Sequence, residues 1–333
     1  MISIKRVKPI RKIKINILII FICIIILALI INPARYSRFT LDGIIVWGTV
    51  ILPATFPFLF FSLLLIELGM AQKISKIFYP LTSKLYKTGG VSAYIFFMSL
   101  ISGYPIGAKL IEDFYSKGVI DSAEGARISS FCSMASPMFV LGSVGIGLLK
   151  SYMAGIVLLI SQIMSCILNG LIYRKYLSKN YQPNNLKLQT SPNTDNILSD
   201  CIYNSVISVL KVGGFVAIFY MLTELLNDLY ILFPIKFVLE KISFINNYSD
   251  GLTRGLIEVS NGCLHISAQN GSLILKTVFC GFIISWGGLS VHMQNLTFLT
   301  KASVKSGFYF LSKTTQSIIM TAIVLILSLV FLT

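Results

Sequence analysis

Four ionisable residues lie inside or beside long apolar runs. Lys109 follows Ser102-Gly103-Tyr104-Pro105-Ile106-Gly107, Lys211 sits mid-way along the run 203–226, Glu258 opens Glu258-Val-Ser260-Asn261-Gly262, and His292 closes Ser285-Trp-Gly287-Gly288-Leu-Ser-Val-His292. A charge at the centre of a bilayer costs about 2.5–3.5 kcal/mol on insertion scales, so an ionisable residue kept there marks a polar site or path by default. Each also has a plainer reading. Lys109 can snorkel to the interface, while Lys211 would have to reach further to do so. Glu258 can touch a substrate, hold a proton or cation, or pair with Lys211. His292 can bond a neighbouring helix or relay protons.

The same stretches hold the residues that break helices. Two glycines and a proline within Ser102–Gly107 do not sustain a regular helix, and Ser136-Pro137, Ser260–Gly262 and Gly287-Gly288 interrupt three further apolar runs. Irregular backbone at membrane depth is tolerated only where protein or a water-filled cavity covers it. Taken together, the four breaks predict a shared buried chamber. Half-helix N-termini there would carry roughly half a positive charge each and suit an anion. Taken singly, each glycine also fits close helix packing. The candidate substrate site is therefore Ser102, Gly103, Tyr104, Pro105, Gly107, Lys109, Ser136, Pro137, Lys211, Glu258, Ser260, Asn261, Gly262, Gly287, Gly288 and His292.

The elements that must position these residues are membrane helices. The chain of 333 residues is 55% hydrophobic and 12% charged; soluble domains carry about 25% charged residues. Its apolar runs are continuous and long enough to cross a bilayer, unlike the alternating segments of a β-barrel. The net charge of +15 does not point to nucleic acid. Lys5, Arg6, Lys8, Arg11, Lys12 and Lys14 precede the first run, and most other cations fall in short loops, as in cytoplasmic segments. The six cysteines are scattered, without a C-x-x-C pair or Cys/His cluster, so no disulfide framework, metal or cofactor is expected. No P-loop, G-x-S-x-G or H-E-x-x-H occurs, and no catalytic residue or enzymatic activity is expected. The carboxylates of 112–127 lack a nucleophile or histidine. A solvated loop with Asp121 capping a helix and Glu124 paired to Arg127 accounts for them.

Along the chain, residues 1–42 form a basic tail and an anchor helix (15–31) with a cytoplasmic N-terminus. A first repeat covers 43–172. It holds a run at 43–68 with Pro53 and Pro57, a basic amphipathic connector at 71–90, broken segments at 91–111 and 128–149, and a spanning helix at 152–172. A polar linker, 173–199, leads to a second repeat, 200–333, with 203–226, a semi-apolar connector 229–250, broken segments at 254–270 and 272–299, the basic loop 300–315, and a last helix at 316–332. If 91–111 and 254–270 are re-entrant hairpins, the basic loops 71–90, 173–199 and 300–315 share the cytoplasmic side, and the halves are inverted in topology. Paired interrupted segments in inverted halves point to a transporter's midplane site. The expected fold is all-α: a polytopic membrane protein of two inverted repeats, each with a re-entrant or broken helical hairpin.

The motifs Ser102-Gly-Tyr-Pro-Ile-Gly-Ala-Lys109, Gly118-Val-Ile, Glu124-Gly-Ala-Arg127 and Ser136-Pro-Met-Phe139 resemble those of the YlbJ-type sporulation integral membrane proteins. Leu52-Pro-Ala-Thr-Phe-Pro-Phe58, Glu258–Gly262 and Ser285–His292 look like the rest of that pattern, over about 43–310 of the chain. The family belongs to the nucleoside-recognition "gate" group, similar to spore maturation membrane proteins and concentrative nucleoside transporters. The resemblance implies a protein in the outer forespore membrane, on the mother-cell side, that exports dipicolinic acid towards the spore. Lys109 and Lys211 are compatible with that dianion. Partners would be the small-molecule substrate, the lipid bilayer and a coupling ion, with no nucleic acid. A symporter of a nucleoside or another small anion or ion on the same fold, and a non-transporting membrane scaffold for spore formation, are the alternative readings.

Overall fold

Proline, glycine and buried polar residues decide where the apolar runs of this chain become separate helices. The computed structural model describes residues 9–178 and 196–332. Residues 179–195, the body of the polar linker, and the tail residues 1–8 lie outside them. Among the described residues every regular element is helical.

Helix α1 (Pro9–Ile31) ends at Asn32, and Pro33 opens α2 (Pro33–Val46), as expected for a residue that suits a first helical turn. The two axes bend by 106°. α2 runs through residue 42, where the anchor was divided from the first repeat, and lies along α9 (Ile197–Asp228). Gly43 permits the approach, since a Cβ there would come within 2.9 Å of the Ala217 Cα. Arg35 closes it with two 2.8 Å bonds to Asp228. A π-helical turn, Trp47–Ile51, then leads into α3 (Leu52–Glu67), which carries Pro57. The basic α4 (Met70–Tyr86) is the amphipathic connector expected at 71–90.

Next come two short helices folded on each other, α5 (Val91–Ser102) and α6 (Ile106–Ser116). At about 1.5 Å per residue neither crosses a hydrocarbon core of about 30 Å. The polar loop leads into α7 (Ser122–Ser129), whose first turn Asp121 caps by accepting from the Glu124 N–H at 2.7 Å. Glu124 itself accepts the Gly89 N–H at 2.5 Å, and Arg127 is buried, donating to the carbonyls of Lys87 and Tyr176. Residues 133–136 are unwound, a π-helical segment covers Met138–Leu148, and α8 (Tyr152–Tyr173) follows.

After the linker, α9 is followed by α10 (Phe233–Glu240), the hairpin α11 (Ser249–Gly255) and α12 (Val259–Ala268), then α13 (Leu273–Trp286), α14 (Gly288–Leu299) and α15 (Ser306–Phe331). The last helix starts ten residues earlier than the run 316–332 suggests, because Lys313 and Gln316 are buried against protein rather than placed in a solvated loop. Among the described residues α8, α9, α13 with α14, and α15 are long and apolar enough to cross a membrane; the bent pair α1–α2 makes a fifth if it is one span. One buried cluster gathers where α15 lies against α8 and α13, and another around α5, α6 and α7.

Candidate functional site

Each hairpin tip is bonded to the broken helix of its own half. In the first half the Tyr104 N–H donates to the Met134 carbonyl at 2.7 Å. In the second, Leu289 N–H donates to the Leu256 carbonyl at 2.9 Å and Ser290 N–H to that of Ile257 at 3.0 Å. Backbone groups released at one break are thus satisfied at the other, as groups buried away from water must be. Glycine is required at both contacts. Gly103 has φ +76 and a Cβ there would sit 2.5 Å from the Ser136 nitrogen; Gly288 has φ +64 and would meet the Ile257 oxygen at 2.9 Å.

Side chains of the long helices hold the unwound stretch 130–136. The Gln162 amide accepts the Ala135 N–H at 3.0 Å and donates to the Ala135 carbonyl at 2.9 Å. Asn169 donates to the Ser130 carbonyl at 2.7 Å. From α15, Lys313 Nζ and Gln316 Nε2 donate to the Ser133 carbonyl at 3.0 and 3.3 Å.

Between the two tips lies a cavity of about 240 Å³. Its walls come from both halves: the first tip (Ser102–Ile106, Lys109), Ala135 and Ser136, the second tip (Glu258–Ser260), Ser290 and Gln294 of α14, and Lys211 of α9. Lys301 closes one side and approaches Glu112 at 3.9 Å. Three lysines thus face the space against one carboxylate, Glu258. Among the described residues no ion pair joins Lys211 to Glu258. Glu258 is 3% exposed and caps α12, accepting the Asn261 N–H at 2.8 Å.

One relative covers nearly the whole chain. The sporulation integral membrane protein YlbJ of Bacillus subtilis (strain 168) is 25% identical over 340 residues, spanning 94% of this chain and 83% of its own. This likeness agrees with the resemblance of the chain's motifs to the YlbJ-type proteins. No family model matches it, and no solved structure does.

The structure brings Ser102, Gly103, Tyr104, Pro105, Lys109, Ser136, Lys211, Glu258 and Ser260 to the cavity. The other expected residues act on its frame. Gly107 lets α6 lie against the Cys132 carbonyl and Ser99, and Gly262 lets α12 meet α11 at Gly255. Pro137 precedes the π-helical segment. Asn261 turns away to donate to Glu224 at 3.1 Å. Gly287 and Gly288 form the left-handed joint between α13 and α14. His292 is enclosed by Trp286, Tyr309 and Phe310, with its Nδ1 3.4 Å from the Tyr309 hydroxyl.

The expectation that open helix N-termini face the chamber needs correction. The α12 terminus already holds the carboxylate of Glu258, and the first N–H groups of α14 bond the second tip. The positive character of the cavity comes from lysine side chains. Lys301, Gln294 and Ser208, which also line the cavity, were not singled out from the sequence, since each looks like an ordinary polar residue of a helix or its end. Gln162, Asn169 and Gln316 carried a usable signal: an amide inside an apolar run has to find a partner there.

A second ionic cluster lies at the foot of the second hairpin. Arg254 pairs with Glu224 and, at 2.7 Å, with Asp250, which also accepts from Lys236 at 3.1 Å and faces His265 at 3.2 Å. Asp250 lies outside the candidate spans. The hydrogen bond with His265, reinforced by Arg254 and Lys236, holds its carboxyl below the usual carboxylate range.

Proposed function

We propose that this chain is a carrier for a small organic anion rather than an enzyme, and that the anion is dipicolinate, exported from the mother cell across the outer forespore membrane. The observation that carries the reading is the cavity walled by all four broken segments and faced by Lys109, Lys211 and Lys301. Its volume lies just under the range of about 300–1,000 Å³ usual for drug-sized ligands, which suits a small planar dicarboxylate. The curated relative is named for sporulation, in keeping with a cargo made for the spore.

The order of elements supports an inverted pair of repeats. α3, α4, the α5/α6 hairpin, α7 with the π-helical segment, and α8 run in the same sequence as α9, α10, the α11/α12 hairpin, α13 with α14, and α15. With both hairpins re-entrant, the second copy has the opposite orientation, and the basic loops share one side of the membrane.

The test is uptake of labelled dipicolinate by liposomes containing the purified protein, with empty liposomes as control. Protein-dependent uptake that unlabelled dipicolinate competes away is expected. Its absence, together with normal dipicolinate content in spores of a deletion strain, removes the assignment and leaves a scaffold. Competition by nucleosides instead would move the cargo to that class.

A further inference from the structure

Lys313 is the one buried lysine among the described residues, at 1% exposure, and it sits within the spanning helix α15. No carboxylate pairs with it among those residues. Its Nζ donates to two neutral oxygens, the Ser133 carbonyl and Gln316 Oε1, both at 3.0 Å. A buried ammonium normally has an anionic partner or gives up its proton. This one is bonded instead to a carbonyl of unwound backbone at membrane depth, the kind of group with which transporters hold a coupling cation.

The position of this bond matters as much as its chemistry. Lys313 belongs to the second half and Ser133 to the first; Ser133 is two residues from Ala135 and three from Ser136, which line the cavity. Further side chains extend the contact. Asn295 of α14 donates to Ser133 Oγ at 3.3 Å and to the Tyr309 hydroxyl at 2.8 Å, and that hydroxyl lies 3.4 Å from His292 Nδ1.

We infer that Lys313 is a titratable latch across the seam between the halves, and that its proton is the coupling ion of transport. Charged, its ammonium makes charge-assisted bonds to the Ser133 carbonyl and to Gln316, and these are roughly twice as strong as neutral ones. When Nζ passes its proton to water entering past the Ser136 wall, the neutral amine holds Ser133 more weakly and the seam loosens. The proton then returns from the opposite side when the seam closes again. The titratable groups facing Lys313 are Cys166 of α8, through Gln316, with His292 of α14 and Tyr309 of its own helix on the Asn295 branch. Of the other elements against α15, α13 turns Cys280 to Cys263 and α7 turns Arg127 to backbone carbonyls. This latch takes its purpose from the carrier reading but its geometry stands apart from it.

A two-arm experiment separates the two. Cys23 is exposed and the other five cysteines are buried, so a C23S/S136C variant reports maleimide access to the cavity wall. Labelling is measured from about pH 6 to about pH 10, spanning the approach to the ordinary lysine value of about 10.4. Maleimide reacts with the thiolate, whose share rises with pH in every variant, so each rate is read relative to that of C23S/S136C/K313M at the same pH. This relative rate is expected to rise at least about fivefold with pH, the lower end of common coupling strengths. The relative rate should stay low at every pH in C23S/S136C/K313R, which keeps its charge. A flat profile with Lys313 present, or an equal rise in the K313R version, overturns the latch whether or not dipicolinate moves. In the second arm, liposomes with wild-type protein and an imposed pH gradient accumulate labelled dipicolinate, and K313R liposomes do not. Accumulation by K313R equal to wild type also overturns the proton role. Labelling that follows Lys313 without dipicolinate uptake by any of these liposomes supports the latch and removes the carrier reading alone.

Discussion

Replacing Lys211 with glutamine removes one of three cationic side chains from the cavity wall and leaves most of its bulk. A sphere of 240 Å³ has a radius of about 4 Å, so an ammonium at the wall lies about 6 Å from the centre of a bound anion. Coulomb's law gives about 0.7 kcal/mol per unit charge at that distance in water-like surroundings and about 2.8 kcal/mol at an effective dielectric of about 20. Lys211 lines a cavity that an anion has to enter from water, so the lower figure applies. Doubled for a dianion, it becomes about 1.4 kcal/mol, a tenfold change in affinity. The assay is the concentration dependence of dipicolinate uptake by K211Q liposomes. KM is expected to rise about tenfold with little change in maximal rate, and K211R should restore it. Picolinate, with one carboxylate, should lose only about threefold by the same arithmetic. Raising the salt should shrink both effects by screening. An unchanged KM for the dianion, or equal losses for the mono- and dicarboxylate, would refute the assignment of the cavity's charge to these lysines.

Four further outcomes follow from the frame of the molecule. Q162L leaves the N–H and the carbonyl of Ala135 without their amide partner. At about 1–3 kcal/mol for each buried group left unsatisfied, the thermal midpoint in detergent should fall by several degrees and uptake should drop. G103A forces a Cβ to 2.5 Å from the Ser136 nitrogen at a left-handed φ and should abolish folded protein by gel filtration. G214A on α9, where nothing lies within 4 Å, should stabilise by up to about 1 kcal/mol. D250N breaks the cluster with His265, Arg254 and Lys236 and should lower the thermal midpoint near neutral pH. A carboxyl held below its ordinary value contributes stability above about pH 3.9 that fades as acid protonates it. The gap between D250N and its parent should therefore narrow as the pH falls below about 4, and a gap of constant size would refute this.

Much of the frame was readable from the chain. Glycine and proline inside apolar runs have few uses, so the breaks at Ser102–Gly107, Ser136-Pro137 and Gly287-Gly288 announced themselves, and so did the amphipathic helix at 70–86. What could not be read was the pairing of breaks, because Tyr104 with Met134 and Ser290 with Ile257 are contacts set by tertiary packing rather than by spacing. Lys313 was hidden for a related reason. It lies among Lys301, Lys305 and two threonines, where local composition resembles a basic loop, and only the Ser133 carbonyl of the unwound stretch and Gln316 of its own helix satisfy its ammonium when buried. His292 failed in the opposite direction: its motif is conspicuous, but the aromatic rings around it close it off from the cavity.

Among the described residues, no hydrogen bond between main-chain atoms of different helices or loops runs from the first half to the second. The halves are joined by side chains such as Asn169, Asn295 and Lys313, whose bonds can be exchanged one at a time. Pulling a tip from its own broken helix would instead strand peptide groups in hydrocarbon, where nothing replaces the lost partner. The least costly way for this molecule to open is for each tip to travel with its partner helix as a single block, one block sliding past the other.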